Sequence, residues 1–408
     1  MTRYDVVVVG GGIAGSALGA VLAPAGISVL VLERQIAYRD KVRGEYMQPW
    51  GVAEMLRLGF ESTLLEVGGG YTPSIVSYDE DVDPVTAEAG AVPLNALVEG
   101  VRGGLCVGHP QASRALNSLA GERGAVVRHG VGDVEVVAGR SPSVRYELGG
   151  ELHEVTCRLV VGADGRQSTV RRSLGIDLQQ VASKVTLGGM LVKTDQWRAD
   201  QSVIGTEGDR MYLAFPRPGG YVRLYLTCEA GPRTSGADRG SRMLDAFRLS
   251  SMPDSDALAD AEQAGPCSYY VGTDAWTERP VAEGVVLIGD AAGWSDPILG
   301  EGLSVAMRDV RSTADVLLAG DDWSSGAFDP YVTERAERMR RLKISGHITT
   351  EIRCTFTPEG RRRRAAYRER LATDPLVLGP ALSTLAGPET APAESFEQAN
   401  IDRILSLA

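Results

Sequence analysis

The sequence predicts an α/β chain with one domain on a parallel sheet, a second on an antiparallel sheet, and helices at the C-terminal end. Three observations predict it. Val6-Val7-Val8-Val9, Leu159-Val160-Val161 and Val285-Val286-Leu287-Ile288 are short unbroken apolar runs, suited to strands buried on both faces. Between Gln179 and Tyr270 the apolar period becomes 2, as in Tyr221-Val222-Arg223-Leu224-Tyr225-Leu226, which reads as antiparallel strands with one covered face. After Phe328 the pattern turns helical and charged, over Tyr331 to Leu342 and again over Thr350 to Leu371.

At roughly 150 residues per domain, 408 residues suggest two or three domains. Lys and Arg number 42 against 53 Asp and Glu, a net charge of −11, which argues against nucleic-acid binding and against an electrostatic hold on anionic membranes. No apolar run approaches the roughly 20 residues that span a bilayer. The first one, Val6 to Val9, is too short for a secretory signal. The 5 cysteines form no Cys-x-x-Cys pair, so neither a disulfide framework nor a metal site is expected and a reducing cytoplasm is the default.

The first apolar run leads into Gly10-Gly11-Gly12-Ile13-Ala14-Gly15, a helix to Ala23, the breaker Gly26, a second strand Val29 to Leu32, and then Glu33-Arg34. This is one βαβ unit of the Rossmann type. Gly10 makes the tight turn, Gly12 lets backbone approach a pyrophosphate, and Gly15 lets helix and strand pack closely. With Ile13 and Ala14 they form a cradle at a helix N-terminus, where N–H groups and a positive dipole end meet phosphate. Glu33 is placed to accept hydrogen bonds from a ribose. The unit predicts dinucleotide binding, and FAD and NAD both fit.

The glycines Gly68 to Gly70 and the proline-punctuated stretch from Tyr71 to Pro93 read as an excursion into the second domain. A helix from Ala112 to Ala120 and strands around Val126 and Val134 return to the first. The second apolar run then ends in Gly162-Ala163-Asp164-Gly165, and the third in Gly289-Asp290-Ala291-Ala292-Gly293. Each delivers a carboxylate at the carboxyl end of a strand, where open α/β sheets bind ligands. Taken singly, either aspartate reads equally as a helix cap.

With these three motifs in order, the chain resembles the FAD-dependent aromatic hydroxylase-like family, the group A flavoprotein monooxygenases, over about its first 330 residues. The resemblance implies that Asp290 holds the ribityl chain of FAD and that Asp164 has a mixed structural and binding role near the pyrophosphate. It implies that Arg43 touches the flavin and that Gln111 or Arg114 reaches the pyrophosphate. The Asp296 to Asp309 segment, with Pro297, Gly300, Gly302 and Leu303, would aim backbone N–H groups and a helix dipole at the flavin N1–C2=O edge. The expected division is 1–75, 98–178 and 270–330 for the FAD-binding domain, 76–97 and 179–269 for the substrate domain, and 331–408 for a helical region.

The chain departs from the aromatic-hydroxylase pattern in carrying Gly293 in place of a histidine and Leu303 in place of an asparagine. Ala291-Ala292-Gly293-Trp294-Ser295-Asp296-Pro297 instead resembles the branch of geranylgeranyl-reductase-like enzymes and flavin-dependent halogenases. Halogenases of that branch need a tunnel lysine and a Trp-x-Trp-x-Ile-Pro segment. This chain has no such segment, and no lysine from Val42 to Ser183.

The resemblance implies that NADPH or NADH, bound transiently, reduces FAD. Oxygen adds at C4a, and the flavin hydroperoxide then oxygenates a small, secondary-metabolite-like substrate. A reductase acting on a C=C bond is the alternative, and a flavin-binding module without turnover is the non-enzymatic one. No residue is assigned as general acid or base: His109, His129, His153 and His347 stand outside the motifs, with His129 and His153 expected at the surface. The expected partners are a small-molecule substrate and at most a second copy of the chain.

For the substrate, Tyr46, Gln48 and Trp50 follow the second strand closely enough to line a pocket, and Glu45 could bond Arg43. Trp50 equally suits anchoring the helix Val52 to Leu58. Met211, Leu213 and Phe215 read as cavity or core. Tyr221, Arg223 and Tyr225 share one strand face, either a polar-aromatic substrate wall or a solvated outer face. Arg361 to Arg364 are read as a solvated helical face, since four consecutive side chains spread around a helix.

Overall fold

The computed structural model describes residues 2–42, 44–229 and 236–407. The elements that place the site begin with β1 (Val6–Val9), α1 (Ile13–Leu22), β2 (Val29–Glu33), α2 (Pro49–Arg57), β3 (Ser74–Asp79), α3 (His109–Glu122), β4 (Val126–His129) and β5 (Leu159–Gly162). They continue with β6 (Gln179–Lys193), β7 (Gln201–Glu207), β8 (Arg210–Arg217), β9 (Tyr221–Cys228), β10 (Ser268–Trp276) and β11 (Val285–Leu287). Three helices follow: α4 (Gly302–Ala319), α5 (Asp329–Arg353) and α6 (Pro358–Leu371).

The first sheet has six strands in the order Val281–Ala282, β11, β5, β1, β2, β4. From β11 to β4 every neighbour pair is parallel. Every residue of β1, β2, β5 and β11 is buried, which is why these runs are apolar without alternation. Helix α1 is buried all round apart from Val21, and small residues let it come close. A Cβ on Gly15 would stand 1.9 Å from the Gly10 carbonyl oxygen, and one on Gly19 3.1 Å from Val31.

The second sheet has nine strands. Its main path is Gly293–Trp294, β10, β6, β9, β8, β7, β3, Val92–Pro93. It is antiparallel except where β3 joins β7. It also runs past the expected boundary at residue 269, because β10 pairs along β6 from Ser268 to Trp276.

Cross-strand partners share a face, so the register sorts this sheet into two sides. One side carries Met211, Leu213 and Phe215 beside Thr227, Tyr225 and Arg223, with Leu187, Gly189 and Leu191 across from the latter three. The other carries Tyr212, Ala214, Leu224 and Leu226 and packs on Met243, Phe247 and Leu258. Helices Arg239–Asp245 and Asp256–Ala259 supply that second cover. The expectation of one covered face is therefore corrected: β8 and β9 are buried on both sides.

The C-terminal helices are tied to both sheets. Arg364 is buried and donates to Asp79 (2.7 Å) and Glu80 (3.1 Å) at the end of β3, so the arginine run is partly a tether rather than only a solvated face. Arg361 also pairs with Glu80, at 2.9 Å, while Arg363 pairs with Glu359 on its own helix, at 3.2 Å. No described helix is long and apolar enough to cross a membrane.

Candidate functional site

The turns after β1, β5 and β11 converge. A Cβ on Gly10 (φ +107°) would stand 2.4 Å from the Ala163 carbonyl oxygen and 2.7 Å from the Asp164 nitrogen, so the first turn touches the second. A Cβ on Gly289 would stand 3.3 Å from that of Ala14, so the third touches the first. Arg166 Nε donates to Asp290 Oδ2 at 3.2 Å and links the second to the third.

At the first turn, Gly12 caps α1 without a side-chain hydrogen bond, and a Cβ there would meet nothing within 4 Å. The uncapped N–H groups and the positive dipole end of α1 therefore face open space. Glu33 is buried at the end of β2, where Oε2 accepts from the Gly11 N–H and Oε1 from that of Gln35, both at 2.7 Å. It pins the glycine turn. Asn117 donates to Ser16 Oγ at 3.1 Å and is itself bonded by His129 Nε2 at 2.8 Å, while His129 Nδ1 meets the Gln35 carbonyl at 3.0 Å. His129 is thus exposed as expected but braces this turn from behind.

Asp164 caps the helix that follows it with one oxygen. Oδ2 accepts from the N–H groups of Thr169 (2.6 Å) and Val170 (3.2 Å), as a helix cap does. Oδ1 is buried without a partner among the described residues. Arg34 and Arg114 are exposed. Gln111 folds its amide toward Gly108, where a Cβ would meet Gln111 Oε1 at 2.2 Å and Arg217 Nη2 at 2.7 Å. Arg43 lies outside the described residues.

Asp290 opens a single 3₁₀ turn, Gly289–Ala292, that helix α5 clamps from below. Arg335 donates to the carbonyls of Ala292 (3.0 Å), Gly289 (3.3 Å) and Gly293 (2.9 Å), and Tyr331 donates to that of Leu287 at 2.8 Å. Asp309, fully buried in α4, accepts from Arg335 (3.0 Å), Arg338 (2.7 Å) and the Gly289 N–H (2.8 Å). Burial pushes the Asp309 carboxyl up, but the two guanidinium groups outweigh it and hold it below the usual range.

Past this turn, Pro297 to Leu299 form a second 3₁₀ turn that leads through Gly300 and Glu301 into α4. Gln48 donates Nε2 to the Leu299 carbonyl at 2.9 Å, and its N–H goes to Ser304 Oγ at 3.1 Å. Trp50 donates its indole N–H to Glu301 at 3.1 Å and packs with Val305, Met339 and Leu342. It anchors α2 on α4, apart from the other pocket candidates. Glu301 is fully buried, one oxygen has no partner among the described residues, and burial raises its carboxyl well above the usual range, against the Trp50 hydrogen bond.

Ile298 and Leu299 from this loop join Tyr46, Leu187, Met211, Leu213, Phe215 and Tyr225 in one apolar cluster. The rings of Tyr46 and Phe215 stack at 4.5 Å, and Tyr225 meets Phe215 edge-on at 6.1 Å. Arg223 is fully buried on the same side of the sheet, where it binds Glu45 and Asp40. The solvated outer face is thus excluded for Arg223 and Tyr225. Among the described residues Glu45 accepts from Arg217, Arg223 and the His109 N–H, and the expected partner Arg43 lies outside them.

Residues 3–343 match the FAD binding domain family. The chain belongs to that family. It is 28% identical over 358 residues to a 1H-pyrrole-2-carbonyl-[peptidyl-carrier protein] chlorinase of Pseudomonas fluorescens, covering 80% of this chain and 79% of that one. It is 26% identical over 353 residues to digeranylgeranylglycerophospholipid reductase 1 of Methanopyrus kandleri, covering 83% and 87%. In fold it is similar to p-nitrophenol 4-monooxygenase from Pseudomonas putida DLL-E4, with a TM-score of 0.79, 19% identity and coverage of 95% and 99%.

The residues present fit FAD. The bare N-terminus of α1 at Gly12 suits a pyrophosphate, and the unpartnered Asp164 Oδ1 needs a donor. The partly exposed Asp290 suits ribityl hydroxyls. The N-terminus of α4 has no side-chain cap, and a Cβ on Gly302 would meet nothing within 4 Å, so N–H groups are free there for the pyrimidine edge.

Sequence reasoning missed the clamp. An acid among apolar residues at Val305 to Val310 was the one available signal for Asp309. Arg335 and Arg338 are hidden among the many arginines of α5. Nothing local marks Glu45 and Asp40 as partners of a residue 178 or 183 positions away.

Proposed function

We propose that this FAD-dependent oxidoreductase is a monooxygenase that uses NADH or NADPH to oxygenate a small, largely apolar organic substrate. One observation carries the reading: the apolar cluster of Leu187, Leu213, Phe215 and Tyr225 closes directly on Ile298 and Leu299, in the loop suited to the flavin pyrimidine. An apolar surround at that point keeps water from intercepting activated oxygen. FAD, when bound, supplies the electron transfer and the oxygen activation. Gly12 and the start of α1 hold the phosphates, and Asp164 and Asp290 orient the chain between phosphate and ring. Glu301, whose carboxyl burial raises, stands beside the loop.

The kinship with a digeranylgeranylglycerophospholipid reductase supports a second reading, hydride transfer to a C=C bond. The kinship with a chlorinase finds less support in the lysines: Lys41 is exposed, Lys184 pairs with Glu351, Lys193 lies near Tyr221, and Lys343 sits over Trp276. Substrate-dependent NAD(P)H oxidation, followed in air and under strict anaerobiosis with product mass analysis, separates the two. A monooxygenase adds one oxygen atom and stops without O₂; sustained anaerobic turnover with a saturated product overturns our proposal.

A further inference from the structure

We propose that His129 is a positioning residue for the cofactor. With both ring nitrogens protonated it fixes the Asn117 amide, and that amide helps to hold the Gly11–Gly12 peptide in the orientation that binds phosphate. The protein therefore holds FAD more tightly when His129 is charged. The Gly11 carbonyl oxygen is the near end of the relay. Three side chains donate to it: Ser16 Oγ at 2.8 Å, Asn117 Nδ2 at 3.4 Å and the Tyr38 hydroxyl. Burial, and after it Glu33, pushes the Tyr38 phenol up, so it stays a donor. In a trans peptide the C=O and the following N–H point opposite ways. Drawing the Gly11 carbonyl onto these donors thus turns the Gly12 N–H the other way, at the residue whose Cβ would meet open space.

Each partner in the relay works in one sense only. A carbonyl only accepts, so Asn117 must turn Nδ2 to Gly11 and Oδ1 to His129. His129 Nε2 lies 2.8 Å from that Oδ1, and Nδ1 lies 3.0 Å from the Gln35 carbonyl. Both neighbours are acceptors, whereas a neutral imidazole carries one N–H, so both bonds need the imidazolium. The backbone carbonyl of Gln35 cannot turn round and keeps the proton on Nδ1, which leaves Nε2 as the site that loses one. Asn117 then has to turn its amide, and Oδ1 comes against the Gly11 carbonyl oxygen.

The ring is exposed, so protons reach it. Its register partner Glu33, on β2, is taken up by the N–H groups of Gly11 and Gln35. The Tyr38 ring meets it edge-on at 6.3 Å, and the neighbouring cations Arg34, Arg114 and Arg128 are exposed.

The test titrates the full chain, stripped of FAD, with FAD and follows flavin fluorescence in steps from about pH 5 to about pH 8. We expect the dissociation constant to rise about three- to tenfold with pH, the worth of one hydrogen bond. Binding should also take up protons in mid-range, read by calorimetry in two buffers of different ionisation enthalpy. His129→Gln and Asn117→Leu should each give one pH-independent constant, near the parent's high-pH value. A flat parent profile or proton release on binding overturns the proposal, and neither measurement needs a variant to fold. A slope that survives in His129→Gln belongs to another group, and one that survives in Asn117→Leu makes His129 act by charge alone. Either result overturns the relay.

Discussion

Two glycines three residues apart answer to different neighbours. Gly12 has an unstrained backbone and open space where a Cβ would go, whereas a Cβ on Gly15 would collide with the Gly10 carbonyl. Gly12→Ala should leave urea unfolding of the apoprotein within about 0.5 kcal/mol, yet weaken FAD at least about tenfold in a fluorescence titration. Gly15→Ala should itself destabilise the apoprotein, by about 1–3 kcal/mol. Asp309 is the second test at this scale. Asp309→Asn leaves Arg335 and Arg338 buried beside a neutral amide, and unfolding stability should fall by about 3–5 kcal/mol. Because its carboxyl is held below the ordinary range, the stability it contributes is present above the unfolded-state value and disappears as pH falls through the folded one. The variant should therefore approach the parent in strongly acidic unfolding measurements.

Helix α6 shows why four identical letters are not four equal residues. Arg364→Ala leaves the buried Asp79 only the Asp81 N–H and the more distant Arg368, at 3.9 Å, and should cost about 3 kcal/mol in chemical denaturation. Arg362→Ala, on the exposed side, should stay within about 0.5 kcal/mol. Strand β10 carries a pH-sensitive group. Burial, with the neighbouring Asp296, pushes the Asp274 carboxyl up to about 6, against the Asp296 N–H and Lys343, which favour its charge. A raised carboxyl stabilises the fold fully below its unfolded value of 3.8 and loses that contribution as pH rises through about 6. Asp274→Asn should thus gain melting temperature relative to the parent between about pH 5 and pH 7.5 by scanning calorimetry, and an unchanged difference would exclude this role. The three strand-end turns were legible in the sequence because each needs glycine or aspartate at a fixed local spacing. The two-sided burial of β8 and β9 was not. Period 2 tells which residues share a face, while what covers that face is decided by residues 239–259, beyond the strand.

For the molecule as a whole, the net charge of −11 and the pairing of Arg361, Arg363 and Arg364 within the fold lead to one expectation. The protein should pass through immobilised heparin at physiological salt, and retention there would revive a polyanion-binding role. The parallel and antiparallel halves followed from apolar period alone, but their joining did not. Gln48, Trp50 and Glu45 reach across the chain to Leu299, Glu301 and Arg223, contacts that no window of sequence reveals. The clamp on the Gly289–Ala292 turn also has a temporal side. Arg335 is added more than forty positions after the loop carbonyls it grips. A nascent chain that has passed Asp309 but not Arg335 has all three cofactor turns and an unneutralised Asp309 beneath one of them. Cofactor capture during synthesis should accordingly follow the emergence of α5, and flavin retained by a stalled nascent chain that ends before Arg335 would show otherwise.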